Sequence, residues 1–412
     1  MENSFDIIFI LVIIGLGLFL NRFFKLKYPR IQLGVLDALL FFHFFMGVVY
    51  FVYAQYNNSD SHHYYAKVVR EFRGDEWINY LATGTSFIEF LAWPFVHGLQ
   101  MGYAGLMALF AFFGYIGYLF FFLLFKENLR YTHLWFGTAL LTLIFFLPNT
   151  HFWSVSLGKG AVIFMGIGAF FFAMSRPGDR WPLAIPALLL IYMVRPHIAF
   201  VFLAATSLAI LMGNRDLKLQ HKISLFLLAG VTLAFVYQSV FSYVGIEGDD
   251  IFEEGFNVTN RLAGKLSSRA DSGFDIQNFS LPQKIFAFLF FPLFFNASSM
   301  LSFIVSFENL FYLLIGAQLL RLKFLKYLVQ SEFITKLCFL SFVGASAALA
   351  QIAGNMGIAI RMKSMVMLLF LFVVLQFMDH KQWQLRLTKW KRLQRAAKFA
   401  SVSEIPTKAE HV

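Results

Sequence analysis

Residues 100–125 read QMGYAGLMALFAFFGYIGYLFFFLLF, a run without a charged side chain. A helix needs about 20 mostly apolar residues to cross a hydrocarbon core of about 30 Å, and this run is longer than that. A helix on a soluble domain would keep one polar face at the 3.6-residue period. Here every face is apolar or small. Inside lipid an isolated segment can satisfy its backbone N–H and C=O groups only as a helix. The stretch therefore predicts a membrane-spanning α-helix and decides the fold class.

The rest of the chain agrees. Of its 412 residues, 59% are apolar and 14% charged, against about 25% charged in a soluble protein. Aromatic residues make up 19%, with 55 Phe, and mean hydropathy is +0.66. These values exclude soluble, disordered and fibrous classes. Cys338 is the only cysteine, so no intrachain disulfide forms and the redox compartment is not legible. The expectation is an all-α, polytopic helical membrane protein with about 11 transmembrane helices, near 5–21, 33–55, 100–125, 133–147, 159–174, 182–194, 197–213, 223–244, 303–320, 333–353 and 364–379. The pair 182–194 and 197–213 reads as two short helices or one kinked at Arg195-Pro196. Residues 79–98 and 283–299 read as interfacial or re-entrant segments. Residues 1–379 thus form the transmembrane domain, with outer loops 56–99 and 245–302, and 380–412 a basic cytoplasmic tail.

Lys and Arg favour the cytoplasmic side. With eleven spans and an outside N-terminus, 23 of the 34 Lys/Arg fall inside, while 15 of the 23 acids fall outside. The tail carries Trp383, Leu385, Leu387, Trp390 and Leu393 among basic residues, which suits an amphipathic helix on an anionic inner leaflet. The net charge of +11 is therefore a membrane-side bias and implies no nucleic acid. The first apolar run follows Glu2 and Asp6 rather than a basic segment, so it reads as a retained anchor. No repeat of 20–50 residues is present.

The P-loop, G-x-S-x-G, H-E-x-x-H and paired C-x-x-C signatures of soluble enzymes are missing. Chemistry must then sit on polar residues at membrane depth, where each costs roughly 2.5–3.5 kcal/mol. Four groups stand out. Asp60, followed by His62 and His63, begins the first outer loop; a carboxylate beside imidazoles suits a general base or a divalent cation, or Asp60 or Ser61 is only a helix cap. Lys159, after Gly158, opens a helix whose N-terminus attracts anions, or snorkels. Arg195, in Arg195-Pro196-His197, presents a planar fork suited to phosphate, or pairs with a loop acid. Arg361 and Lys363 break the charge bias near a helix start. Glu308 lies in an apolar stretch and reads as a partner of one of these cations. His97 and His151 read as satisfied interface histidines. The loop 245–282, acidic at its start, has the length of a lid or binding loop.

Cations from three segments beside one acid–histidine loop suit a substrate with an anionic phosphate group and an apolar tail. A polyprenyl-diphosphate-linked sugar meets both needs: positive side chains stabilise the departing diphosphate, and the acceptor hydroxyl needs a positioned base. No cofactor motif is present; a divalent cation at Asp60 is the one option the residues leave open.

In order along 40–370, the loop with Asp60, Tyr64 and Tyr65, the Phe/Gly-rich third span, the Pro148-x-x-x-Phe152-Trp153-Ser154…Gly158-Lys159 junction, Arg195-Pro196-His197 and Gly357-x-x-x-Arg361 resemble bacterial surface-polysaccharide polymerases of the EpsG-like class. More loosely the chain is similar to integral-membrane glycosyltransferases of the GT-C type. Asn57-Asn58-Ser59 stands where that family carries Gly near its loop Asp, and the His pair goes beyond its pattern. The resemblance implies a multi-pass protein of the bacterial inner membrane that joins lipid-linked oligosaccharides at an outward-facing site in exopolysaccharide, O-antigen or capsule synthesis. It implies roles for Asp60, Lys159, Arg195 and Arg361, the positions that match its motifs; from the residues themselves, His63 reads as a catalytic partner of Asp60, and His197, Lys363 and Glu308 as further groups around diphosphate and sugar. Its implied partners are the lipid-linked sugar, membrane lipids and other polysaccharide-assembly proteins. The competing expectations are a lipid-linked sugar carrier, a membrane transferase using His197 or His63, and a structural assembly subunit.

Overall fold

The computed structural model describes residues 4–29, 31–212, 223, 230, 279–297, 299–353 and 356–403. The expected span 223–244 and most of the loop 245–282 lie outside the described residues, as does Asn355.

The fold is an all-α membrane bundle. In chain order the helices are α1 (Ser4–Lys27), α2 (Leu33–Tyr56), α3 (Asp60–Val69), α4 (Thr85–Trp93), α5 (Tyr103–Asn128), α6 (Leu140–Phe145), α7 (Pro148–Phe152), α8 (Lys159–Met174), α9 (Pro177–Val194), α10 (Pro196–Met212), α11 (Leu281–Phe290), α12 (Met300–Gly316), α13 (Leu322–Gln330), α14 (Phe333–Ile352) and α15 (Met356–Ser403). Among the described residues six helices are long and apolar enough to cross a membrane: α1, α2, α5, α12 with the 3-10 turn that extends it, α14 and α15. Exposed Phe5, Leu11, Phe19, Phe41 and Phe45 on α1 and α2 are the surface a lipid-facing helix presents.

α5 is the axis of the first half and packs on α1, α2 and α8. Its Gly117 meets Gly168 of α8 so closely that a Cβ on Gly168 would overlap the Gly117 carbonyl. Small residues let backbones approach in this way where lipid supplies no hydrophobic drive between helices. Buried Phe121, Phe122, Phe145 and Phe164 fill the space around this crossing. His43 and His151 meet inside it, Nδ1 to Nδ1 at 2.8 Å, and their other ring nitrogens face the Ala111 and Phe145 carbonyls at 2.9 and 2.8 Å. His151 is thus a core residue rather than an interfacial one.

The region 133–147 is not one helix. Leu134–Trp135 and Thr138–Ala139 pair as a small antiparallel hairpin, turned by Phe136 and Gly137 at φ 47° and 81°. α6 then runs six residues, about 9 Å at 1.5 Å per residue, before Leu147 becomes extended and Pro148 opens α7. Hydropathy saw a continuous apolar run; the left-handed turn at Phe136-Gly137 divides it and Pro148 closes it. The segment still connects opposite ends of the bundle, since Arg130 lies at Asp379 and Trp153 at Arg361.

The Arg195-Pro196 question resolves as two helices, with Arg195 ending α9 and Pro196 opening α10. The last span and the tail helix form one 48-residue helix, about 72 Å long. Between Arg361 and Asp379 it rises about 27 Å, close to a hydrocarbon thickness. At the Asp379 end the basic connectors gather: Arg180 pairs with Glu127 at 2.6 Å, the Tyr131 N–H reaches Asp379 at 2.8 Å, and Lys381 meets Gln318 at 2.6 Å. The opposite end carries the site.

Candidate active site

Four helix ends converge there. α2 arrives at its C-terminus, α8 and α15 begin, and α9 stops at Arg195. Between them lies a cavity of about 590 Å³ whose wall carries Asp60, Lys159, Arg195 and Arg361. That volume falls in the range of small-ligand sites.

Each side chain is delivered by a local rule. Ser59, extended, caps α3 by accepting the Ser61 N–H at 3.3 Å. The cap is therefore Ser59, and Asp60, the first helical residue, keeps its carboxylate for the cavity. The Ser59 hydroxyl also lies 3.0 Å from Tyr50 Oη and 2.7 Å from Ser61 Oγ, and Ser61 Oγ lies 2.8 Å from Tyr103 Oη. This chain ties α2, α3 and α5 together. Lys159 opens α8 after Gly158, where Gly160 passes so close to the Trp153 carbonyl that a Cβ would collide with it. Arg195 sits where proline removes the next backbone donor. Arg361 lies on the first turns of α15, with its guanidinium carbon 5.8 Å from the Trp153 ring centre, a cation–π distance.

Asp60 and Arg361 form an ion pair at 2.5 Å, their side chains 54% and 27% exposed. Lys159 is within electrostatic reach of Arg195, Arg361 and Asp60. Burial and the Asp60 charge push the Tyr64 phenol up to about 12, against the opposing pull of Arg361, a hydrogen bond with Thr85, and Arg195. Tyr64 is then a neutral donor at physiological pH. Trp153, part of the Pro148-to-Lys159 junction motif, completes an aromatic side with Tyr50 and Tyr53, which the sequence did not single out; these two sit one turn apart, the only local signal they carry.

The short helices over the site are clamped. Buried Glu89 of α4 takes Arg73 at 3.0 Å and Lys67 at 3.6 Å, and the Gly84 N–H donates to the Met193 carbonyl at 2.7 Å. The nine residues of α4 rise about 14 Å, too short to cross. His97 contacts the Val68 carbonyl at 3.1 Å and is a satisfied histidine.

The other candidates lie elsewhere. His63 is exposed and does not line the cavity. Its neighbour His62 stacks on Tyr103, ring centres 4.3 Å apart. His197, on the first turn of α10, is off the wall but within electrostatic reach of Arg195 and Lys159. Lys363 is fully buried; its ammonium donates to Asn309 Oδ1 at 2.5 Å and the Phe291 carbonyl at 3.0 Å. Two residues after Arg361, it points about 200° around the helix, which separates a cavity cation from a structural one. Glu308 is buried too, accepting the Asn149 N–H at 2.6 Å and the Tyr312 hydroxyl at 3.1 Å. Glu308 and Asn309 thus lock α7 and α15 onto α12.

A divalent cation does not fit this donor set. Among the described residues Asp60 is the single carboxylate on the wall, Arg361 occupies it, and three cationic side chains share the space. Among the described residues no group of three or more His, Cys, Asp or Glu is placed to hold a metal. The wall can instead take a polyanion, present one carboxylate to a hydroxyl, and offer aromatic faces to a ring. Comparison with protein-family models, curated proteins and solved structures returned no match.

Proposed function

We propose that the chain transfers or polymerises polyprenyl-diphosphate-linked oligosaccharide on the outer face of the bacterial cytoplasmic membrane, as a glycosyltransferase resembling the EpsG-like polymerases. The observation that carries this reading is the meeting of Asp60, Lys159, Arg195 and Arg361 on one wall, the outermost of them 301 residues apart in sequence. The cations bind the diphosphate and stabilise the charge that grows on it as the glycosidic C–O bond breaks. Asp60 takes the proton of the acceptor hydroxyl. The position at one end of an apolar bundle leaves the polyprenyl tail in hydrocarbon while the sugar reaches water. In the proposed topology the N-terminus is outside and the C-terminus cytoplasmic.

The test is the fate of labelled undecaprenyl-diphosphate oligosaccharide in proteoliposomes. Lengthened glycan or transfer to an acceptor supports the reading. Passage to the other leaflet with no new glycosidic bond makes the chain a carrier and ends it.

A further inference from the structure

The cavity's anion site is already occupied, by the protein's own carboxylate. Among the described residues Asp60 is the only acid on a wall with three cations, and it sits on one of them at 2.5 Å. The Asp60 oxygen that accepts the Arg361 N–H has that lone pair engaged and cannot take an acceptor's proton there while the contact lasts. The same guanidinium has the fork that binds phosphate oxygens. One contact therefore blocks both jobs, and one exchange would release both.

We propose that the Asp60–Arg361 pair is a latch that an incoming diphosphate opens: a phosphate oxygen replaces Asp60 on Arg361, and Asp60 is freed as the base only when a diphosphate is present. This rests on the glycosyl-transfer reading and adds the order of events to it. Among the described residues the wall carries three cations and one carboxylate, an excess of positive charge that suits the two negative charges of a sugar–diphosphate–lipid diester. In the transfer the acceptor oxygen bonds to the anomeric carbon and the bond from that carbon to the phosphate oxygen breaks, its electron pair staying on the diphosphate. The acceptor proton moves to Asp60. The diphosphate ends with three negative charges and Asp60 with none, so total charge is conserved and three cations face the leaving group. The latch also keeps the base from activating water in an empty site.

The geometry suits an exchange. Asp60 is half exposed, at the first residue of a helix whose cap belongs to Ser59, so releasing Arg361 disrupts no cap. Arg361 keeps the Trp153 face as support. An ion pair this exposed contributes at most about 1 kcal/mol, low enough for a diphosphate with two charges to displace it.

The test uses the full chain in nanodiscs with inorganic pyrophosphate, measured by calorimetry. Asp60→Asn removes the internal competitor, and the expected result is binding about fivefold tighter than wild type, the factor that 1 kcal/mol represents, with transfer activity lost. Binding equal to or weaker than wild type overturns the latch and leaves the diphosphate site standing. No pyrophosphate binding by either protein removes the reading beneath it, and the latch with it. A second measurement needs no variant: carbodiimide labelling of Asp60 in the wild-type protein, read by mass spectrometry, should rise when pyrophosphate is added. Labelling that stays level or falls overturns the proposal.

Discussion

Glu308 gives the sharpest test of how this bundle uses polar groups at membrane depth. Its two carboxylate oxygens accept the Asn149 N–H at 2.6 Å and the Tyr312 hydroxyl at 3.1 Å, and the side chain is buried. Glu308→Leu leaves both donors without an acceptor, at about 1–3 kcal/mol each. No longer burying a carboxylate offsets part of this, so the net loss is about 3 kcal/mol. Glu308→Gln keeps one carbonyl oxygen for the Asn149 N–H, and the Tyr312 hydroxyl can turn to accept from the new amide, limiting the loss to about 1 kcal/mol. Thermal unfolding of the detergent-solubilised chain, followed by size-exclusion chromatography, should order the midpoints as wild type, Gln, Leu. The folded Gln variant should bind pyrophosphate within about twofold of wild type, the RT-scale effect of a lost distant charge. A Gln variant that unfolds like wild type yet binds pyrophosphate tenfold more weakly would refute the reasoning, because Glu308 would then act on the ligand and not on the α7–α12 junction.

Three further outcomes are expected. Arg195→Ala should insert and fold normally but lose about tenfold or more in pyrophosphate affinity, the worth of one charge-assisted contact, together with chain extension; product of wild-type length would exclude a role for Arg195. In a Cys338→Ala background, Asn58→Cys and Ile358→Cys should both react with a membrane-impermeant thiol reagent added outside whole cells, and Leu393→Cys only after the membrane is opened; the reverse pattern inverts the proposed orientation. Gly168→Ala should destabilise the bundle by about 1–3 kcal/mol through overpacking, because its Cβ would overlap the Gly117 carbonyl; an unchanged unfolding midpoint would mean that α5 and α8 do not cross this tightly.

Much of this architecture is legible in the sequence, for a simple reason. α2, α5 and α14 are predominantly apolar and 20 or more residues long, and burial in lipid leaves such runs no alternative to helix. The Arg195-Pro196 break is legible because proline acts through its own covalent geometry. The 133–147 segment is not legible from hydropathy: its division depends on backbone torsions at Phe136 and Gly137, and apolar content is silent about torsion. The pairing of His43 with His151 spans 108 residues and leaves no local trace. Tyr50 and Tyr53, which join Trp153 on the aromatic wall, were hidden by abundance, since about one residue in five is aromatic.

The candidate site shows where an insertion-cost argument stops. That cost marks Asp60, Lys159, Arg195, Glu308, Arg361 and Lys363 alike, because each is expensive in hydrocarbon. It does not say who meets the expense. For Glu308 and Lys363 the protein does: the groups they touch are Asn149, Tyr312, Asn309 and Phe291, contributed by neighbouring segments of this chain. For Asp60, Lys159, Arg195 and Arg361 the compensation is a shared cavity at the ends of helices, where water or a ligand reaches them. Position within the helix separates the two groups. Lys159 and Asp60 are the first residues of their helices and Arg195 is the residue between α9 and α10, while Glu308 stands midway along α12. Arg361 and Lys363 are the instructive pair, because they share a helix turn and differ only in the direction in which the 100° step per residue sends them. One faces the ion pair with Asp60 and the other the carbonyls of the bundle, so a charge two residues along can change from a ligand contact to a structural bolt.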